Sequence, residues 1–150
     1  MQQAAPPVGV DHLRRLDHIG FVVHSIQAVA NRFARSINED WNQQIIHDPL
    51  QAVRVSFIRS SKKLCAAIEL VEPAGDNSPV GRFLERGGGL HHLCYEVDQL
   101  EEQLEVSRSR GGVVVKQPLP AVAFDGRRIA WVFTKDRLLL EFLEAARHER

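Results

Sequence analysis

Two histidines and two glutamates carry the chemistry that this 150-residue sequence offers: His18, Glu69, His92 and Glu141. Glu69 stands between Ile68 and Leu70, and Glu141 between Leu140 and Phe142. In a strand, neighbouring side chains alternate faces. Such a glutamate therefore either faces solvent while its neighbours build the core, or points into a cavity. In a cavity its charge must be paired or bound to a cation. For one glutamate alone, the solvent-facing arrangement suffices, and a lone histidine on an apolar strand needs only a hydrogen bond. The spacing changes that balance. His18 and His92 lie 74 residues apart, and Glu69 and Glu141 lie 72 apart, so two independent pairs share nearly one period. If two similar halves pair about a pseudo-twofold axis, these residues converge as a two-histidine, two-carboxylate set. Imidazole nitrogen with carboxylate oxygen suits Zn, Ni, Co, Mn or Fe and leaves positions for water or substrate. A metal so held acts as a Lewis acid toward substrate oxygens, and a carboxylate beside it can move a proton.

The elements that must position these residues also repeat. Leu16-Asp17-His18-Ile19-Gly20-Phe21-Val22-Val23 overlays Leu90-His91-His92-Leu93-Cys94-Tyr95-Glu96-Val97. Each run leads into a helix. The first spans Ser25 to Ile37 with Ser25 as N-cap, and the second spans Asp98 to Arg108 with Asp98 as cap and Gly111-Gly112 past its end. Trp41 to His47, Gln51 to Arg59, Val113 to Val115 and Arg128 to Phe133 read as further strands, with Val53, Val55 and Phe57 on one face. The expectation is an α+β fold of two βαβββ modules, residues 16–72 and 90–144. They are joined by a connector, 73–89, holding a short helix from Pro79 to Arg86, and preceded by a loosely ordered arm, 1–15. Strand parity turns His91 away from His92, so His91 is read as structural, together with His24, His47 and His148; His12 has no assigned role. Cys94 shares the face of His92 and is read as a buried thiol.

Composition sets the outer bounds. Hydrophobic residues make up 44% and charged residues 25%, and the formal net charge is zero. A neutral chain has no general electrostatic grip on nucleic acid or acidic membranes. No apolar run is long enough to span a bilayer, the N-terminus lacks the pattern of a secretory signal, and two cysteines make no disulfide framework. A cytoplasmic protein acting on a small molecule is expected. Arg54, Arg59, Lys62, Lys63, Arg127 and Arg128 together make an anionic substrate such as an acyl-CoA plausible.

The segments LDHIGFVV, IELVEPAGDNSPVGRFLERGGGLHHLCYEVDQLE and GRRIAWVFTKDRLLLEFLE resemble those of methylmalonyl-CoA epimerases. These are members of the vicinal oxygen chelate superfamily, which includes glyoxalases and bleomycin-resistance proteins. The resemblance runs from about Leu16 to Ala145. It implies paired βαβββ modules curling into an open, cup-shaped sheet around a divalent metal (Zn, Co, Ni or Mn) held by His18, Glu69, His92 and Glu141. It also implies a homodimer, and proton exchange beside a thioester carbonyl with Glu141 as one acid/base group. The second acid of such epimerases falls on Val55, which cannot serve. The segments RFARSINEDW and Phe133-Thr134-Lys135-Asp136 also depart from the family pattern. The expectation is therefore an epimerase-like isomerase. The alternatives are a lactoylglutathione lyase-like or other chelate enzyme, and a non-catalytic binding protein of the resistance kind.

Overall fold

The structure is a computed structural model and describes residues 11–62 and 65–147. Its strands are β1 (Leu13–Val22), β2 (Ile46–Asp48), β3 (Val53–Ile58), β4 (Ala67–Pro73), β5 (Gly89–Val97), β6 (Val113–Pro120), β7 (Arg128–Phe133) and β8 (Leu139–Glu144). Three helices, α1 (Ile26–Ser36), α2 (Gly81–Glu85) and α3 (Leu100–Ser109), and a 3-10 turn at Val122–Phe124 complete it. All eight strands form one mixed sheet in the order β2-β3-β4-β1-β5-β8-β7-β6. β1 runs parallel to β4, β5 runs parallel to β8, and β1 meets β5 antiparallel at the seam between the halves. Exchanging β1 with β5, β4 with β8, β3 with β7 and β2 with β6 reproduces the order. The fold is thus α+β, two pseudo-symmetric βαβββ modules in a strongly curled, open half-barrel.

Both faces of the sheet are covered, which resolves the choice posed by the glutamates. Ile68 and Leu70 of β4 pack with Ile26, Ala30 and Ala34 of α1 on the convex side. Leu140 and Phe142 of β8 pack with Leu100 and Leu104 of α3. The alternate positions, Ala67 and Val71 on β4 and Leu143 on β8, join Val55, Phe57, Phe124 and Ile129 in the concave core. The glutamates therefore have no solvent-facing side to occupy, and parity sends them inward.

Several local expectations shift. α1 starts as predicted, with the Ser25 hydroxyl accepting from Ala28 N at 3.2 Å. α3 starts after Gln99, which makes no side-chain cap bond, because the Asp98 carboxylate is drawn to Arg14 of β1 instead. The strand expected over Trp41 to His47 shrinks to Ile46–Asp48. Positive φ at Asn38 and Gln43 bends the preceding chain, and the Trp41 indole N–H turns inward to donate to Ser56 Oγ at 2.8 Å. β6 runs on to Pro120, well past Val115. β1 begins at Leu13, inside the segment expected as an arm; residues 1–10 and His148 lie outside the described residues.

Candidate metal centre

The seam and its flanking strands create the site through two cross-strand rows. Glu69 on β4 pairs with Gly20 on β1, and Gly20 pairs with His92 on β5. Glu141 on β8 pairs with Cys94 on β5, and Cys94 pairs with His18 on β1. Each glutamate thus lies two strands, about 10 Å in backbone terms, from a histidine of the other half. The residue between them is small in both rows, and the long side chains close over it. A Cβ on Gly20 would sit 2.0 Å from His92 Cε1, so the His92 ring occupies the space that glycine leaves.

All four donor atoms meet. His18 Nε2 lies 2.8 Å from Glu69 Oε2, 3.3 Å from Glu141 Oε2 and 3.2 Å from His92 Nε2. His92 Nε2 lies 3.1 Å from Glu69 Oε2 and 3.1 Å from Glu141 Oε2. Ligands at ~2.1 Å from a common ion stand ~3.0–3.4 Å apart at octahedral or tetrahedral angles. The separations of 3.1–3.3 Å fall in that range, and the His18–Glu69 contact at 2.8 Å lies just below it. Glu69 is 5% exposed and Glu141 2%. Among the described residues neither carboxylate meets a lysine or arginine; their only ionisable partners are the two histidines. Buried charge of this kind requires compensation, by protons on the imidazoles or by a cation in their place. The cluster fits a divalent metal in donor type, number and spacing.

Without a metal, protons supply that compensation. Burial alone would push the His18 pKa down, but the carboxylates of Glu69 and Glu141 override it and raise it strongly. His92 rises likewise, burial being outweighed by hydrogen bonds to Glu141 and Glu69. Burial would raise Glu69 and Glu141, but the facing imidazolium of His18 holds both below the ordinary carboxylate range. Burial and the charge of Glu141 push the Cys94 thiol well up, so it stays a neutral wall.

Two further side chains hold the histidines. His18 Nδ1 lies 2.8 Å from Asp17 Oδ2, and His92 Nδ1 lies 2.8 Å from His91 Nδ1. A hydrogen on each inner Nδ1, donated outward, frees each Nε2 lone pair for the cluster. Strand parity hides both supports. His91 was expected to point away; instead it lines the concave cavity. The register jumps from Gly20↔His92 to Phe21↔Leu90, leaving His91 as the extra residue of a β-bulge, and bulges re-aim side chains. Asp17 is the extra residue of a second bulge, between Leu16↔Tyr95 and His18↔Cys94. Sequence reasoning missed Asp17, Gly20 and His91. A glycine amid a strand was the one available signal of close approach.

The cluster opens onto a cavity of about 290 Å³ whose lining includes Glu69, His92 and Glu141. Its walls are largely apolar, with Val55, Val71, Phe124, Ile129 and Trp131 prominent. The basic residues expected to attract an anion are mostly engaged elsewhere. Arg54 binds Glu72 at 2.6 Å, Arg127 meets Glu96 at 3.2 Å, and Arg128 is held by Glu144 and Glu101. The Arg59 guanidinium stacks 4.7 Å over Phe57, and Lys63 lies outside the described residues. The cation that does line the cavity is Lys116, which the sequence reading passed over.

Comparison with known proteins gives this geometry a context. The chain is 28% identical over 124 residues to the ethylmalonyl-CoA/methylmalonyl-CoA epimerase of Cereibacter sphaeroides, covering 81% of this chain and 90% of that one. A methylmalonyl-CoA epimerase from Streptomyces coelicolor, solved with 2-nitronate-propionyl-CoA, superposes with a TM-score of 0.73 at 26% identity, over 92% of this chain and 99% of that one. The methylmalonyl-CoA epimerase from Mycobacterium tuberculosis shares the fold, with a TM-score of 0.79 over 93% of each chain at 23% identity. Residues 17–131 match the sequence profile of the glyoxalase/bleomycin resistance protein/dioxygenase superfamily, and the chain belongs to that superfamily.

Proposed function

We propose that the protein is a metal-dependent enzyme that removes a proton next to a carbonyl, on an acyl-CoA resembling a 2-substituted malonyl thioester. The observation that carries this reading is the convergence of four buried donors, uncompensated by any lysine or arginine among the described residues, at the wall of an apolar cavity. His18 and His92 through Nε2, and Glu69 and Glu141 through Oε2, would hold the ion. When bound, a divalent metal supplies Lewis-acid polarisation of substrate oxygen. Glu141 is the base. It lines the cavity, and a divalent ion in place of the imidazole protons would keep its carboxylate ionised. Asp17 and His91 fix the histidine tautomers, and the apolar walls exclude water from the carbon that loses its proton. The relatives named for methylmalonyl-CoA epimerisation support this substrate class.

Val55 is buried and lines the cavity where a second acid would stand. Asp48, also on the cavity wall, accepts from Leu50 N and Gln51 N through Oδ1 and from Val122 N through Oδ2. Glu141 as a single base exchanges one face only; inversion requires a proton donor on the other face or a reorienting intermediate. Methylmalonyl-CoA in deuterated water with protein loaded with Zn, Co, Ni or Mn tests this. Label uptake with retention is expected. Uptake with inversion would demand a second acid, and no uptake with any of these ions would reject the substrate. A homodimer is part of the same reading: Val113 and Leu119 stand exposed on the edge strand β6, a surface that a second copy would cover.

A further inference from the structure

The cavity has a polar corner apart from the metal cluster. Lys116 on β6 pairs with Trp131 on β7, which pairs with Glu141 on β8, so about 10 Å of sheet separates Lys116 from Glu141. Lys116 Nζ donates to Gln51 Oε1 at 2.8 Å, and both residues line the cavity. An ammonium can only donate, so the Gln51 amide is fixed with its oxygen toward Lys116 and its Nε2 turned away. That Nε2 is buried and has no hydrogen-bond partner, in a side chain whose residue is only 7% exposed. A buried amide N–H without an acceptor is destabilising, and an orphan of this kind calls for a ligand atom. Asp48 on the same wall makes no hydrogen bond to this Nε2; its carboxylate accepts from Leu50 N, Gln51 N and Val122 N instead. The corner thus offers as donors the amide N–H of Gln51 and the remaining N–H bonds of Lys116, with the Asp48 carboxylate beside them held by backbone N–H groups.

We propose that Lys116 and Gln51 form a carboxylate-binding subsite, so that the natural ligand carries a carboxylate at the end remote from the His18–Glu69–His92–Glu141 cluster. The positive charge of Lys116 favours a carboxylate over a neutral carbonyl, because charge-assisted hydrogen bonds are roughly twice as strong as neutral ones. This deepens the proposed function and rests on its placing of the substrate carbonyl at the cluster. The corner then holds the far end of the acyl group and fixes which hydrogen faces Glu141.

The test uses zinc-loaded, full-length protein and titration calorimetry with dicarboxylates from malonate to adipate. Each is paired with its monoamide, which keeps the shape and removes one charge. The expected result is one chain length at which the dicarboxylate binds at least about tenfold more tightly than its monoamide. That advantage should disappear in Lys116→Met with zinc content unchanged. Gln51→Glu supplies a second variant that keeps a partner for Lys116 while filling the corner with negative charge; it should abolish the preference as well. Equal binding of diacid and monoamide at every length, no binding of either, or a preference that survives both variants would overturn the subsite. Deuterium uptake from methylmalonyl-CoA, measured on the same preparations, reports separately on the proposed reaction.

Discussion

Asp17 and His91 occupy the same place in the two halves of the molecule. Each is the extra residue of a β-bulge, each precedes a cluster histidine, and each meets that histidine's Nδ1 at 2.8 Å. The chemistry differs. Asp17 offers His18 a carboxylate, whereas His91 offers His92 a ring whose pKa burial and the adjacent His92 lower to about 4. At neutral pH His91 is therefore uncharged and can accept from His92 Nδ1–H. His18 is the more strongly polarised of the two.

Replacing Asp17 with Asn tests that asymmetry. Loss of a carboxylate behind a ligating imidazole typically weakens metal affinity ~10–100-fold. Competition with a chromophoric chelator should show a drop of that order in Asp17→Asn, with the far-UV spectrum unchanged. An affinity equal to wild type would remove Asp17 from the site.

Gly20→Ala places a methyl carbon where the His92 ring now lies. The ring must swing away or the seam must part, at about 1–3 kcal/mol for an overpacked interior. Metal analysis should show a large loss of bound ion in a variant that still unfolds cooperatively. Full metal content with unchanged stability would mean that His92 does not depend on this space.

Protons and a metal compete for the same cluster. In the metal-free form His18 is raised above its ordinary 6.5, so its stabilisation is complete below that value and is lost only as pH rises through the folded pKa. Glu69 and Glu141 are depressed below 4.5, so theirs is complete above 4.5 and is lost as pH falls through the folded values. A metal must displace the imidazole protons, so uptake should release roughly one to two protons per ion. The melting-temperature gain from zinc should accordingly grow between about pH 5.5 and 8. A gain independent of pH, with no proton release in buffers of different ionisation heat, would contradict histidine ligation.

Ser56 anchors the segment that failed to form a full strand. Its hydroxyl accepts from the Trp41 indole and donates to the Gln44 carbonyl. Ser56→Ala leaves a buried indole N–H without an acceptor, and urea denaturation should show a loss of about 1–3 kcal/mol. No loss would indicate that Trp41 finds another partner.

Leu119→Glu and Val113→Glu test the dimer. Sedimentation should show wild type as a dimer, and the paired variant should shift toward monomer with its fold intact. A wild-type monomer at micromolar concentration would end that part of the reading.

Much of this arrangement could be read before any coordinates. The paired offsets located all four members of the cluster because duplication writes its period into residues that share an axis. The apolar neighbours of Glu69 and Glu141 left open whether the carboxylates faced solvent or a cavity, and only the folded sheet, covered on both faces, decides it. Parity failed at His91, and Asp17 went unnoticed, because a bulge adds one residue without any signature in side-chain type. Trp41 to His47 misled because an aromatic and β-branched composition favours a strand, while positive φ at Gln43 and the pull of Ser56 on Trp41 decide otherwise. Lys116 and Gln51 lie 65 residues apart with no repeat to connect them, so only the closed sheet brings them together.

The seam between β1 and β5 has a kinetic meaning. Each half brings one histidine and one glutamate, and the donors come within reach of one another only when residues more than 70 positions apart have paired. Long-range pairing of that kind closes late and slowly. An ion held there would grip the docked halves and not the open chain. Its presence would then leave the rate of folding nearly unchanged and lengthen the lifetime of the folded state, acting as a latch fastened after the door has shut.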